Sequence, residues 1–247
     1  MLKSFVLQNG KNLNIDYQIE HTFNKGQFFI CTNNLVYISK EELPMGILST
    51  LAYASPSMRE KLAPCLPPAT CKNYKIVDGN ALIIAKNPSL YLLKDIQDYF
   101  KGAIPPVHVA WILNTIYNVC CFLEYSKLIH GGISTENLFI APETHVGALL
   151  GGWWGAKPKD DHVEPLNRFN ALVKKSRHKG DLEAVKAIGI ELIGSQDAHD
   201  SILDFLHQPS SGDAKADYKA WGIVLTEAFG PRKFVKMDFN EADLYGT

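Results

Sequence analysis

Apolar residues recur along this chain with two different periods, and the change from one to the other divides it. In roughly the first third they come in short runs of alternating, β-branched or aromatic character: Gln27 to Ile30, Asn34 to Lys40 and Tyr74 to Val77. Such runs predict strands. The turn signal Asp78-Gly79-Asn80 follows the third run, and Ala81 to Ala85 has the length of a buried strand. Between them, Pro44 to Leu62 places Ile47, Leu48, Leu51 and Met58 at spacings compatible with a helix. Ser55-Pro56 is expected to interrupt or restart it, because the residue before a proline is pushed out of the helical region.

Beyond Lys86-Asn87-Pro88 the period becomes helical. Leu92 to Phe100 is a short amphipathic candidate, and Pro106 stands where a first-turn proline would start a stronger one. There Val107, Trp111, Thr115, Val119 and Phe122 recur on one face, widened by Ile112, Ile116 and Leu123, which predicts a core helix. Short apolar strands are expected at Leu138 to Ile140 and Val146 to Leu150. Gly180-Asp181 precedes Leu182, Val185, Ile188 and Leu192, the pattern of a buried helix capped by an aspartate. Ser201 to Gln208 and Ala216 to Phe229 complete the helical set. The expected boundary lies near Lys86 to Ser89, dividing a strand-rich 1–87 from a helical 88–247.

Composition adds exclusions. The 247 residues are 46% hydrophobic and 21% charged, an ordinary globular balance. A net charge of -1 gives no general drive towards nucleic acid. Cys31, Cys65, Cys71, Cys120 and Cys121 form no CxxC pair and are expected to be reduced thiols. His145, His162, His199 and His207 lack metal-ligand spacing, so no metal site is expected. The opening MLKSFVLQNGKNLNI has neither the apolar run nor the cleavage site of a signal peptide. Asn114, Asn118 and Glu124 interrupt the longest apolar stretch, Val107 to Tyr125, which argues against a membrane span. The expectation is a cytoplasmic protein with no nucleic-acid or membrane partner.

The chemistry concentrates in one stretch after the long helix: His130-Gly131-Gly132-Ile133-Ser134-Thr135-Glu136-Asn137. It resembles the catalytic loop of protein kinases, His-Arg-Asp-x-x-x-x-Asn. His130 and Asn137 fall at the family's His and Asn, while Gly132 stands at the catalytic Asp and Ser134 at the position usually held by Lys. About fourteen residues after Asn137 the family places the Asp-Phe-Gly motif; here the stretch is Leu150-Gly151-Gly152-Trp153-Trp154, with Gly151 or Gly152 at the Asp. The first Asp orients or accepts the substrate hydroxyl proton, a role worth roughly 10² to 10⁴ in rate. The second anchors magnesium between the β and γ phosphates. Glycine can do neither.

The resemblance implies an α+β, bilobal protein-kinase-like fold, a small β-rich N-lobe over a helical C-lobe. It further implies a catalytically inactive pseudokinase that works by protein binding, scaffolding or allosteric regulation. Lys40, at the end of Val36-Tyr37-Ile38-Ser39-Lys40, would stand for the phosphate-binding lysine, with Glu60 as its ion-pair partner. Asn137 would be the vestige of the metal-holding set, and Asp160 or Asp161 could substitute for a lost carboxylate. Asp181 would match the aspartate that fixes the catalytic-loop backbone, and His130 would be structural. One glycine in Phe23-Asn24-Lys25-Gly26-Gln27 replaces the family's glycine-rich loop, so ATP binding is expected to be weak or absent and no cofactor is assigned. Function then moves to a surface: Trp153, Trp154 and the basic Lys174, Lys175 and Arg177 are the candidates to meet another protein. His130-Gly131 also echoes the His-Gly-Asp of aminoglycoside and choline kinases, and an unrelated α+β binding protein is the third reading.

Overall fold

The computed structural model describes residues 1–42, 46–68, 70–159 and 168–245, without the side chains of 168–179. Strands β1 (Leu2–Val6), β2 (Asn12–Asp16), β3 (Ile19–Phe23), β4 (Gly26–Ile30) and β5 (Asn34–Ser39) come first. Helices α1 (Gly46–Ser49) and α2 (Pro56–Leu62), a 3-10 turn at Ala63–Cys65, and strands β6 (Lys72–Ile76) and β7 (Gly79–Ala85) follow. The second part runs β8 (Tyr91–Leu92), α3 (Leu93–Tyr99), α4 (Pro106–Tyr125), β9 (Leu128–Ile129), β10 (Leu138–Ala141) and β11 (Val146–Leu149). It ends with a 3-10 turn at Trp153–Gly155, β12 (Lys157–Pro158), α5 (Arg168–Ile193), α6 (Asp200–His207), α7 (Ala214–Phe229) and α8 (Glu241–Tyr245).

Among the described residues, β3 to β7 form an antiparallel sheet in the order β3-β4-β5-β7-β6. Because side chains alternate across a strand, this sheet has two apolar faces. Phe28, Ile30, Leu35, Tyr37, Leu82 and Ile84 point into the core shared with the helices. Phe29, Val36, Ile38, Ile76 and Ala81 point the other way and are covered by the β1–β2 hairpin through Phe5, Leu13 and Ile15. The hairpin and β3 escape a reading based on apolar runs. Leu2–Val6 and Asn12–Asp16 turn only alternate positions inward; in β1 these are Lys3 and Phe5, with the apolar Leu2 and Val6 left exposed, and in β2 they are Leu13 and Ile15 between polar residues.

Ser55-Pro56 restarts the helix: the Ser55 hydroxyl accepts from the Met58 N–H at 3.1 Å, and Pro56 opens α2. Pro106 likewise opens α4. By length and a mean hydropathy of 1.3, α4 is comparable with a membrane-spanning helix, although polar residues interrupt it. Its apolarity is used inside the protein, where Val109, Ile112, Leu113, Ile116, Tyr117, Val119 and Phe122 are buried on several sides at once. One boundary differs from expectation, since α5 begins at Arg168 rather than being capped at Asp181. The Asp181 carboxylate accepts hydrogen bonds from the backbone of another segment, at His130 and Gly131.

Lys86 shapes the connection between β7 and β8. It is buried, and its ammonium donates to the carbonyls of Asn87 (3.1 Å), Pro88 (3.3 Å) and Leu90 (3.0 Å). Burial lowers its pKa to about 8. The chain's end returns to the same place, where the Tyr245 hydroxyl accepts from the Leu92 N–H at 3.0 Å.

Candidate functional site

The segment 130–137 joins β9 to β10 and is held from below. Asp181, buried on α5, accepts the N–H groups of His130 and Gly131, each at 2.8 Å. Gly131 takes a left-handed φ of 72° to turn the chain there. His130 is fully buried; its Nδ1 accepts the Gly132 N–H at 3.2 Å, which places the ring proton on Nε2, 3.0 Å from the Gly151 carbonyl it donates to. Burial lowers its pKa to about 4, and the bond to Gly151 opposes that only in part. The neutral ring therefore ties the 130s loop to the segment after β11, and it meets Trp153 in a T-shaped contact with ring centroids 4.8 Å apart.

Asn137 also turns inward. Its side-chain amide donates to the Gly132 carbonyl at 2.7 Å and to the Ser134 hydroxyl at 3.0 Å, while its main-chain carbonyl accepts the Gly151 N–H at 3.1 Å. The loop thus brings Gly132, Ser134, Asn137, Gly151 and Gly152 together, and there is no carboxylate among these five. The space where side chains would stand differs between the glycines. A Cβ on Gly132 would lie 3.2 Å from the Gly152 carbonyl oxygen, tight but nearly accommodated. On Gly151 it would lie 2.6 Å from the Tyr37 hydroxyl and 2.7 Å from Asn137 Oδ1. On Gly152, whose φ is 77°, it would lie 2.6 Å from Asn137 Nδ2 and 2.9 Å from the His130 ring.

Tyr37 was not singled out from the sequence, yet it dominates the region facing these glycines. It projects from β5 and is buried, with a hydroxyl that has no hydrogen-bond partner among the described residues and a pKa raised by burial. Its ring stacks on Phe28 at 5.1 Å and meets Phe23 at 5.8 Å and Trp154 at 5.3 Å, both edge-on; Phe23 and Trp154 are also 5.3 Å apart. Four aromatic rings therefore join the inner face of the sheet to the turn that follows the glycine pair. Beside them His21 on β3 pairs with Asp95 on α3 at 3.1 Å, a second link between sheet and helices. The signal for Tyr37 was present in the strand's alternation, because Tyr37 and Ser39 share the inner face while Ile38 and Lys40 share the outer one.

That alternation corrects the expected lysine. Lys40 is exposed on the outer side of the sheet, next to Ile38, and Glu60 is exposed on α2. No ion pair joins them among the described residues. Both tryptophans were candidates to meet a partner, with one of the pair expected in the core and the other in the cleft or on a surface, and the structure sorts them. Trp153 is 1% exposed and donates its indole N–H to the Leu149 carbonyl at 3.1 Å, so it belongs to the core. Trp154 is half-buried in the aromatic cluster and donates to the Glu41 carbonyl at 3.4 Å. Lys174, Lys175 and Arg177 fall within α5 rather than on a loop, and their side chains lie outside the described residues. Asp160 and Asp161 lie outside them altogether.

No family model matches the sequence, and no curated protein matches it. Solved structures do resemble it. The structure of vaccinia related kinase 3 superposes with a TM-score of 0.53 at 13% identity, covering 88% of this chain and 74% of that one. At this identity the likeness shows the fold alone: a protein-kinase-like, bilobal arrangement with a β-rich N-terminal sheet and a helical C-terminal part.

Proposed function

We propose that this chain is a kinase-fold module that transfers no phosphate and acts by binding another protein, as a scaffold or regulator. One observation carries the reading. Where the fold's phosphotransferases need two carboxylates, this chain has Gly132 and the Gly151-Gly152 pair, and the space beside that pair is filled by Tyr37, Asn137 and His130. A metal ion bridging the phosphates needs anionic oxygens; the one amide nearby, Asn137, is committed to Gly132 and Ser134. The aromatic cluster gives a second reason to expect weak or absent ATP binding, because Tyr37 and Trp154 stand between the sheet and the turn after the glycine pair.

The test is direct. Purified protein with ATP and magnesium, offered generic protein substrates and a panel of small alcohols, is expected to transfer no labelled phosphate above a heat-denatured control. Titration with ATP, with and without magnesium, is expected to leave the melting temperature within a degree of its starting value. Magnesium-dependent transfer that vanishes in Asn137→Ala would overturn the proposal and favour a small-molecule phosphotransferase or an unconventional kinase.

A further inference from the structure

The partner surface has to be sought away from the cleft, and the outer side of the sheet offers one. Strand β1 is hydrogen-bonded to β2 along one edge only. Its odd-numbered residues face that ladder: the Leu7 N–H donates to the Lys11 carbonyl, and the Met1 carbonyl accepts from Tyr17. Its even-numbered residues therefore turn their main-chain groups to the opposite edge. There the Val6 carbonyl accepts the Val77 N–H at 2.9 Å, and the Gln8 N–H reaches the Lys75 carbonyl at 3.1 Å. Short of that bridge no strand among the described residues is paired with the edge, so the N–H and C=O of Ser4, and the N–H of Val6, lie along it without a ladder.

Beside this edge runs an open trough of about 890 Å³, floored by Phe5, Ile38 and Ile76 and walled on its far side by Lys25, Lys40 and Glu41. Edge strands are ordinarily blunted by charge, proline or a covering element. This one presents outward Leu2, Ser4 and Val6, with Leu2 71% exposed, Val6 49% and neighbouring Val77 65%. The charges in the wall are unequal in freedom. Lys25 is paired with Glu41, whereas Lys40 has no ionic partner among the described residues.

We propose that the β1 edge is a docking site for an extended peptide of another protein. The peptide adds as a strand along Leu2–Val6, sends alternate apolar side chains into the trough, and places a carboxylate against Lys40. Main-chain bonds supply affinity in such strand addition, and alternate side-chain pockets supply specificity. An incoming strand lies about 4.8 Å from β1, between that edge and the far wall. A second copy of this chain fits the site less well, because its β1 would bring β2 and the sheet behind it into a trough walled on both sides. The inference is independent of whether the cleft is active, so the phosphate-transfer assay and the test below can fail separately.

Ser4→Pro removes the outward N–H and the Ser4–Asn14 side-chain bond but no main-chain bond of the β1–β2 ladder, and Lys40→Glu reverses the wall's unpaired charge at an exposed position. A displayed library of random decapeptides is selected on the parent protein and counter-selected on Ser4→Pro. The expected survivors alternate apolar residues around one Asp or Glu. Synthesised with a fluorescent label, a survivor is expected to bind the parent at least about tenfold more tightly than either variant. Changing its acid to lysine is expected to restore binding to Lys40→Glu. If Ser4→Pro melts early, Lys40→Glu and the charge-swapped peptide decide the matter alone. No differential enrichment, or peptides indifferent to Lys40→Glu, would refute the site. So would a concentration-dependent dimer that Ser4→Pro abolishes, which would assign the edge to self-association.

Discussion

Replacing the three glycines of the candidate site one at a time by alanine measures how tightly the fold is packed around each of them. Gly132→Ala adds a Cβ 3.2 Å from the Gly152 carbonyl oxygen at a position with no left-handed φ. A stiffer unfolded chain contributes about 0.4–1 kcal/mol of stability, which offsets most of that close contact. Gly151→Ala drives its Cβ to 2.6 Å from the Tyr37 hydroxyl, with Asn137 Cα at 3.2 Å to block retreat. Overpacking of this kind costs about 1–3 kcal/mol. Gly152→Ala meets a comparable clash with Asn137 and His130 and adds the left-handed backbone, worth roughly 1–2 kcal/mol for an L-residue. With about 2–4 °C per kcal/mol in a chain of this size, the melting temperature should fall by roughly 2–12 °C at Gly151 and roughly 4–20 °C at Gly152. At Gly132 it should stay within about 2–4 °C. Thermal melts followed by circular dichroism give the order directly. An aspartate at 151 or 152 that melts like the parent and gains stabilisation from ATP with magnesium would refute the reasoning, because it would mean the space is open and the metal site recoverable.

Other residues give separate readings. Tyr37→Phe removes a buried hydroxyl without a partner, and should raise the melting temperature by about 2–4 °C, the equivalent of about 1 kcal/mol; a fall would reveal a bond the hydroxyl makes. His130 is neutral when folded, with its pKa lowered from 6.5 to about 4, so the unfolded chain binds the extra proton between those values. Its contribution is complete above about pH 6.5 and is lost as pH falls towards 4, to a total of roughly 2–4 kcal/mol. The pH dependence of unfolding free energy in His130→Asn should be shallower in that window by up to one proton, and parallel curves would contradict the assignment. Asp181→Ala leaves the N–H groups of His130 and Gly131 without their acceptor and should cost about 2–4 kcal/mol. Asp181→Asn should cost less, and an unchanged denaturation midpoint in Asp181→Ala would show that the loop holds itself.

The parts of the molecule legible in the sequence are those whose signals are local and redundant. Helix α4 announces itself by Pro106 and a wide apolar face, and β5, β6 and β7 by dense apolar runs around the Asp78-Gly79 turn. The spacing from His130 to Asn137, and on to Gly151, locates a loop whose parts do meet in space. What escaped depends on partners far away in sequence. Strands β1 to β3 are recognisable only once Phe5, Leu13 and Ile15 have a sheet face to cover. Trp153 and Trp154 look equivalent in a string of letters, but one follows β11 into the core and the other turns back to Glu41 and Tyr37. Lys40 was displaced by a single register step, since a shift of one residue along a strand moves a side chain to the other face.

That one-residue alternation also gives the two faces of the sheet separate environments. Phe28 and Tyr37 fill the region between sheet and helices, while Phe29, Val36 and Ile38, their immediate neighbours on the same two strands, build the outer face beneath the hairpin. Each aromatic contact of the inner cluster contributes about 0.5–1.5 kcal/mol beyond its burial. Together with the His21–Asp95 pair, the cluster links sheet and helices through protein groups alone. The strands so anchored hold Ile38 and Ile76 at the floor of the outer trough, and β1 hangs over that floor with its free edge exposed. The residues between sheet and helices and those that shape the outer face therefore lie on opposite sides of the sheet, so a substitution in the outer trough is expected to leave the inner aromatic cluster in place.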